Sequence, residues 1–280
     1  MNDAAISPPR SALAGLGRVF VYGSAVLLSL FILIPIYLMT LAAFSSDEDT
    51  YAYPKELLPR DLSTETMRFF INFGGVLDAL QRSVIVALIT LVLALLIGTP
   101  AGYALARFAF RGGDTLRLSV VGTRAFPIVI LSIPLAVIFI RWGIDDTVLG
   151  VSIAHTALAL PFVVLTTASV FAGVSPELEE AAMTLGCSRA KAFVKVALPL
   201  ALPGLAASAI FVFIVSWNEV FAASLLTLRH RTLPAEVLAL LEGAPPNFRF
   251  AGGFFLMAPS VIVILLIRRY LFSMWGRVLK

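Results

Sequence analysis

The chain has 280 residues, of which 59% are hydrophobic and 14% are charged, with a formal net charge of +4. Soluble domains carry about 25% charged residues, so this composition excludes a water-soluble globular protein and predicts an integral membrane protein. The single cysteine, Cys187, excludes an internal disulfide, and His155 and His230 have no partner at metal-ligand spacing, so no metal site is expected.

Six segments are apolar and long enough to form membrane-spanning helices, which need about 20 residues each. These segments are residues 19–44, 83–106, 116–140, 149–172, 200–226 and 251–273. The first is about 26 residues long, which exceeds the apolar region of a signal peptide, so we expect a retained span. The sequence therefore predicts an all-α integral membrane protein with six transmembrane helices.

The distribution of positive charge predicts the orientation of these spans. An even number of spans places both termini on the same side of the membrane. If that side is the cytoplasm, twelve lysines and arginines lie inside and eight outside, and basic residues favour the cytoplasmic side. We therefore predict a cytoplasmic tail over residues 1–18, a transmembrane domain over residues 19–280, and outside loops over residues 45–80 and 227–250.

Both outside loops contain patterns typical of short helices. The first has an amphipathic stretch at residues 64–73. In the second, Leu233 and Val237 belong to an apolar stripe at helical spacing, and Gly243 followed by Pro245 is typical of its end. The sequence therefore predicts a short helix and a rigid turn that project outward.

Prolines and glycines recur within the predicted spans. The prolines are Pro35, Pro100, Pro127, Pro134, Pro161 and Pro259. Membrane helices tolerate proline because the freed carbonyls find other partners, but kinked helices can also line a pathway, and both interpretations stay open. Gly98 and Gly102, at helical spacing, predict a close contact between two helices.

The predicted cytoplasmic loop at residues 173–199 interrupts this apolar sequence with charged residues. Ser175 is a good N-cap, Pro176 suits the first helical position, and Gly186 is a typical C-terminal breaker. Ser188 can cap a second helix, after which Pro199 and Pro203 bend the chain into the fifth span. The pattern indicates a helix–turn–helix that is either a solvated connection or a short amphipathic element for docking into a groove.

Motifs for phosphate binding and hydrolytic catalysis are missing from the sequence. There is no GxxxxGK[ST] phosphate-binding loop, no GxSxG and no HExxH. Glu219 is an acid near membrane depth, and no second carboxylate faces it in the predicted topology. We therefore expect a non-catalytic chain that does not hydrolyse ATP itself.

The spacing in the 173–199 loop carries a specific resemblance. Glu180, Ala181 and Ala182 are followed by three residues and Gly186, then by nine residues, Val196, one residue, Leu198 and Pro199. This pattern resembles the EAA signature of permease subunits in binding-protein-dependent ABC importers, with valine at the usual isoleucine position. The resemblance covers roughly residues 17–280.

Four further stretches are similar to carbohydrate-type permeases, and specifically to the smaller maltose permease. They are GYALARFAFRG at 102–112, FPIVILSIP at 126–134, PFVV at 161–164 and FIVSWNEVF at 213–221. The chain departs from this family at Arg82, where asparagine usually precedes Ser83, and at the VLK ending. Both departures leave the exact subfamily open.

The resemblance implies a type I ABC importer permease fold, with both termini cytoplasmic, in the bacterial cytoplasmic (inner) membrane. It also implies four protein partners: a second homologous permease forming a heterodimer, two ATPase subunits that hold ATP and magnesium, and an extracytoplasmic substrate-binding protein. Membrane lipid surrounds the complex, and no nucleic acid is involved. The function that the resemblance implies is import of a carbohydrate or polyol, including an anionic sugar. The alternative is a stand-alone secondary transporter or channel.

The same resemblance assigns two groups of contact residues. ATPase coupling would fall on Glu179, Glu180, Ala181, Ala182, Gly186, Leu198 and Pro199. Glu180 would make the polar contact, the alanines would allow close approach, and Gly186 would set the turn. Contact with the binding protein would fall on Pro234, Glu242, Pro245, Pro246 and Asn247.

Four residues are candidates for the substrate pathway. Arg124 lies within the third predicted span, where it either extends to the cytoplasmic surface or lines a cavity as a fixed positive charge. Trp217, Asn218 and Glu219 either bind sugar rings and hydroxyls or form an interfacial aromatic with polar helix-end groups. Asn218 and Glu219 could alternatively pack against the second permease.

Overall fold

The computed structural model describes residues 10–54, 58 and 62–278. Helices dominate this part of the chain, where the only β pairing is an isolated bridge between Ser45 and Leu62. The helices are α1 Arg10–Ala43, α2 Asp47–Tyr51, α3 Glu65–Asn72, α4 Val76–Arg107, α5 Gly113–Gly122, α6 Ile128–Trp142, α7 Val148–Ala172, α8 Pro176–Thr184, α9 Arg189–Ala192, α10 Leu198–Asn218, α11 Phe221–Leu226, α12 Leu233–Leu241 and α13 Pro246–Val278.

Five helical segments are long and apolar enough to cross a membrane, and a bent pair supplies a sixth span if it is counted as one. The prediction of an all-α membrane protein is thereby confirmed. Three helices begin five or more residues earlier than the predicted spans, at Arg10, Val76 and Pro246. Hydropathy marks only the apolar part of a span, whereas backbone hydrogen bonds extend the helix into polar flanks. Residues 1–9 of the predicted tail lie outside the described residues, as do 55–57 and 59–61 of the first outside loop.

The third predicted span is not the continuous helix expected at residues 116–140. Residues Gly113–Ala125, ending in a 3₁₀ turn, and α6 meet at an angle of 92°. Pro127 has no N–H to donate and disfavours helical geometry at Phe126, which is extended with φ −84° and ψ 119°. Pro127 therefore breaks the span, whereas the sequence left open either a helix that tolerates the proline or a kinked helix.

The fifth predicted span is also divided, because α10 ends at Asn218 and α11 is separate. Glu219 is extended, with ψ 122°, and its carboxylate accepts the N–H groups of Ala222 at 2.9 Å and Ala223 at 3.0 Å. These bonds satisfy first-turn N–H groups of α11 that have no partner within the helix. An acidic side chain thus starts a new helix where an uninterrupted one was predicted.

The chain divides by packing into two compact units. One consists of Met1–Phe69 with Pro245–Phe254, and the other consists of Phe70–Ala244 with Phe255–Lys280. In the first unit, the rings of Phe44 and Phe254 pack edge to face at 5.0 Å. The second unit is built on α4, α7 and α10.

Close packing of α4 against α7 depends on glycine, as predicted for Gly98 and Gly102. A Cβ atom on Gly102 would lie 2.7 Å from the Ala168 nitrogen, too near for any real contact. The hydroxyl of Thr167 donates across the same contact to the Gly98 carbonyl at 3.1 Å. The two backbones approach this closely because neither glycine carries a side chain.

Candidate functional site

The EAA loop, residues 173–199, begins with the predicted helix α8. Ser175 occupies the N-cap position, but its hydroxyl makes no capping hydrogen bond, so Pro176 is the residue that fixes the first turn. Gly186 has φ +91°, and a Cβ there would meet no atom within 4 Å. Backbone conformation, rather than space, therefore selects glycine at this turn. Ser188 caps α9 by accepting the Lys191 N–H at 3.4 Å.

The second half of the loop differs from the prediction of a bend at Pro199 and Pro203. A π-helical turn at Phe193–Ala197 joins α9 to α10, so that Arg189–Asn218 is one helical segment. In this turn the Leu198 N–H bonds the Phe193 carbonyl, five residues earlier. The wider turn lies just before Pro199, where a proline would disrupt ordinary α-helical bonding.

The two faces of α8 have different surroundings. On one face, the Glu179 carboxylate is buried, accepting hydrogen bonds from the Tyr103 hydroxyl and from Arg107 Nε at 2.7 Å. On the other face, Glu180 and Ala181 are exposed, and Leu185 is 87% exposed. Glu179 was predicted to contact an ATPase together with Glu180, but its side chain instead faces the chain's own helix α4.

The remaining predicted coupling residues lie along this loop. Ala182 and Leu198 are half-buried, whereas Gly186 and Pro199 are exposed. Leu185 lies four residues after the exposed Ala181, and Glu180 adds an exposed carboxylate to this side of the helix. We call Glu180, Ala181 and Leu185 the α8 outer face.

A cavity of about 880 Å³ opens between α4, the bent third span, α7 and the α10–α11 break. Apolar side chains make up most of its wall, including Ile97 and Leu135. The polar groups on the wall come from Thr123, Arg124, Asn218 and Glu219. The structure thus brings together three of the four predicted pathway residues, and their common position depends on the two helix breaks.

Arg124 lies in the 3₁₀ turn at the bend of the third span, on the cavity wall. Its guanidinium carbon is 5.9 Å from the centre of the Phe162 ring, a cation–π distance. Phe162 in turn stacks on Phe211. Among the described residues, no carboxylate forms an ion pair with Arg124.

Glu219 has a buried partner that the sequence did not reveal. Nε2 of His155, whose side chain is fully buried, lies 3.2 Å from Oε2 of Glu219, and Nδ1 lies 2.9 Å from the Ser216 hydroxyl. The expectation that nothing faces Glu219 considered only acids, and the facing group is an imidazole. The pair ties α7 to the α10–α11 break beside the cavity.

Trp217, the fourth predicted pathway residue, does not line the cavity. It is 1% exposed, its indole N–H donates to the Leu256 carbonyl at 3.0 Å, and its ring stacks on Phe213. Neither ring stacking on a sugar nor an interfacial position fits this burial. Trp217 is a packing residue because both its ring and its N–H are used within the chain.

The predicted binding-protein residues divide by exposure. Pro234, in the first turn of α12, and Asn247 are buried, so they are not available as surface contacts. Glu242, Pro245 and Pro246 are exposed. Pro246 begins α13 rather than only ending the preceding helix.

Hydrogen bonds fix the segment that leads into α12. Arg82 Nε donates to the Arg231 carbonyl at 2.9 Å, and the Leu233 N–H donates to the Ser83 hydroxyl at 2.7 Å. The arginine that departs from the family pattern therefore holds this loop. In the residues that the structure describes, no cluster of three or more His, Cys, Asp or Glu side chains could hold a metal ion.

Asp146 forms a second connection on this side of the molecule, which we call the Asp146 clamp. Its Oδ1 accepts the backbone N–H groups of Leu228, Arg229 and His230 at 2.9–3.0 Å, and its Oδ2 lies 3.1 Å from Nδ1 of His230. Burial acts to raise the pKa of Asp146, but these hydrogen bonds outweigh it and lower the pKa to about 2. The clamp therefore carries a negative charge at neutral pH.

Residues 94–274 match the family described as binding-protein-dependent transport system inner membrane component. The chain belongs to this family. The match covers the EAA loop, the cavity and the His155–Glu219 pair. The predicted resemblance to permeases of binding-protein-dependent importers is confirmed, as is a multi-pass location in the inner membrane.

Curated relatives place this inner membrane component among ABC permeases. It is 36% identical to the putative ABC transporter permease protein ORF1 of Streptomyces antibioticus over 77% of this chain and 96% of that one. It is 29% identical to the trehalose/maltose transport system permease protein MalG of Thermococcus litoralis over 92% of this chain and 95% of that one. The second relative bears out the predicted similarity to a maltose permease.

A solved structure supports the fold of this inner membrane component. It is a bacterial ABC transporter involved in the import of the acidic polysaccharide alginate, with a TM-score of 0.72 and 23% identity. The match covers 94% of this chain and 99% of that chain. The predicted type I importer permease fold is thereby confirmed, whereas the side of the membrane that holds the termini stays a prediction.

Proposed function

We propose that the chain is the permease subunit of an ATP-driven importer for a carbohydrate or polyol, and that the α8 outer face docks onto a separate ATPase. The observation that most directly supports this docking is the orientation of α8. Its inner face is hydrogen-bonded to α4, whereas Leu185 is 87% exposed. An exposed leucine on a helix that also carries an exposed carboxylate is typical of a helix that enters an apolar groove on another protein.

The proposed assembly contains a second permease, two ATPase subunits with ATP and magnesium, and an extracytoplasmic binding protein. Family membership supports this, since its description names binding-protein dependence. Within the assembly, Glu180 makes the polar contact, Ala181 allows close approach, and Gly186 holds the turn. The exposed Glu242 and Pro245 contact the binding protein.

The proposed cargo is a carbohydrate, because a relative of nearly full-length coverage is named as a trehalose/maltose permease. We extend the proposed cargo to an anionic carbohydrate because of one residue on the cavity wall. Arg124 lies there without an ion-pair partner among the described residues, and a charge at membrane depth needs compensation. A carboxylate or sulfate on a sugar would supply that compensation through a charge-assisted hydrogen bond.

Cross-linking tests the docking of the α8 outer face. In a Cys187→Ser background, Leu185→Cys is labelled with a thiol-reactive reagent that carries a photoactivatable group, in membranes that contain the whole assembly, and is then irradiated. We expect a covalent product with the ATPase subunit. Leu228→Cys is the matched control, because Leu228 is also an exposed leucine and lies in the segment before α12. The absence of an ATPase product from Leu185→Cys, or an equal yield from Leu228→Cys, would contradict the proposal.

A further inference from the structure

We infer that Tyr103, Arg107 and Glu179 form a positioning cluster through which α8 and α4 move together. The inference rests on the proposed docking of α8 and specifies how motion passes from the loop into the membrane domain. These three residues join the end of α4 to the inner face of α8. The cluster lies opposite the α8 outer face, so an ATPase that moves α8 acts on α4 through these bonds.

The charges of the cluster resist separation. The side chains of Arg107 and Glu179 are 10% and 6% exposed, and Nε lies 2.7 Å from Oε1. A buried ion pair is stable only while both charges stay paired and hydrogen-bonded, since either charge left alone is strongly destabilising. A displacement of α8 that left α4 behind would create two such unpaired charges, so the helices are held together.

Arg107 fixes orientation as well as distance. Besides Glu179, it donates from Nη2 to the Val174 carbonyl at 2.7 Å, two residues before α8 begins. The planar guanidinium therefore holds the entrance of the loop and the helix itself with one rigid group. A lysine in its place would keep the charge but could not make both bonds in a fixed geometry.

Tyr103 connects the cluster to two further helical segments. Its ring packs against Phe171, near the end of α7, at 5.3 Å, and against Phe193, in the π-helical turn before α10, at 4.5 Å. These contacts orient the hydroxyl towards Glu179. Motion of α8 is thereby passed to α4, α7 and α10, and all three of these helices also line the cavity.

The test separates positioning from a merely structural role. The assembly is purified with Tyr103→Phe or Glu179→Gln, in a Cys187→Ser background with a nitroxide on Ile97→Cys, a cavity residue of α4. Magnesium and ATP are added, and the spectral response of the nitroxide during turnover is compared with the rate of ATP hydrolysis in the same sample. We expect hydrolysis to change less than about twofold while the response per ATP hydrolysed falls by roughly 2- to 30-fold.

Two further variants sharpen the result. Arg107→Lys keeps the positive charge but loses the planar guanidinium that bonds both Glu179 and Val174. We therefore expect a nitroxide response between those of the unchanged protein and of Glu179→Gln. Asp145→Asn removes an exposed carboxylate from the turn between α6 and α7 and is expected to change neither readout. If Glu179→Gln does not assemble, Tyr103→Phe still tests the inference, because it removes one hydroxyl and keeps the ring contacts.

The outcomes distinguish this inference from the proposed docking. If Leu185→Cys in the otherwise unchanged protein gives no cross-link to the ATPase subunit, the docking of α8 is overturned. A retained cross-link, with an undiminished Ile97 response in both Tyr103→Phe and Glu179→Gln, overturns the positioning cluster. Hydrolysis and response that fall in the same proportion also overturn it, since a structural defect predicts that result.

Discussion

His155 and Glu219 are 64 residues apart in sequence, yet Nε2 of the histidine lies 3.2 Å from Oε2 of the carboxylate. The same carboxylate accepts two N–H groups at the start of α11. One acidic side chain thus determines where α10 ends, where α11 begins and where α7 packs against both. This break also brings Asn218 and Glu219 onto the cavity wall.

Replacing Glu219 by alanine should destabilise the protein strongly. The change leaves His155 and the N–H groups of Ala222 and Ala223 without their partner, and buried groups of this kind cost about 1–3 kcal/mol each. We expect the midpoint of thermal unfolding in detergent to fall clearly. Asn218→Ala is the control, because that exposed amide bonds only a carbonyl of its own helix. Equal shifts for the two variants would contradict this role for Glu219.

Replacing Gly102 by alanine should separate α4 from α7. The added methyl group would lie 2.7 Å from the Ala168 nitrogen and 2.8 Å from the Val164 carbonyl oxygen, and backbone atoms cannot move aside cheaply. Overpacking of this kind costs about 1–3 kcal/mol. Chemical denaturation of the purified protein measures the loss. Gly122→Ala meets nothing within 4 Å, and a comparable loss there would refute the packing argument.

The Asp146 clamp should open only in acid. The pKa of Asp146 is lowered from 3.8 to about 2, so folding favours its charged form. The stabilisation is present above pH 3.8 and is lost as the pH falls through about 2. Over this interval, the amides of residues 228–230 should lose protection from hydrogen exchange relative to an unstructured peptide of the same sequence. Asp145→Asn, an exposed neighbour, should keep that pH dependence, and Asp146→Asn should abolish it.

Replacing Arg124 by glutamine should affect acidic cargo selectively. A hydrogen bond to a charged group contributes about 1.5–3 kcal/mol, so uptake of a uronic-acid disaccharide should weaken by roughly 10- to 150-fold. Uptake of the matching neutral disaccharide should change little. Arg141→Gln removes an exposed arginine from the other end of the bent span and serves as the control. An equal loss for both sugars would remove the anion-binding role.

Local sequence patterns were sufficient to predict most of the helices. A run of apolar residues or a proline at the first helical position depends only on neighbours in sequence, and α7 and α8 begin within a residue of their predicted starts. The breaks at Phe126 and Glu219 were harder to predict. Membrane helices tolerate proline, and an acidic residue at a helix end does not show by itself which N–H groups it will bind.

The contacts that organise the candidate site are long-range. Arg107 and Glu179 are 72 residues apart, and Asp146 lies 82 residues before Leu228. Each residue looks ordinary in its local sequence, as a helix-end arginine, an acid in a first helical turn, or an aspartate in a polar turn. A single sequence contains no signal for such pairs, so only the packing of the spans identifies them.

The Asp146 clamp also constrains how this protein can vary in length. Three successive N–H groups converge on one oxygen, so one inserted residue at positions 143–147 or 227–231 would shift the register and remove the convergence. We therefore expect epitope tags and natural insertions to be poorly tolerated in these two segments. By contrast, the exposed turn at Gly243 has open space around it, so an insertion there should leave the fold intact and interfere only with the proposed contact to the binding protein.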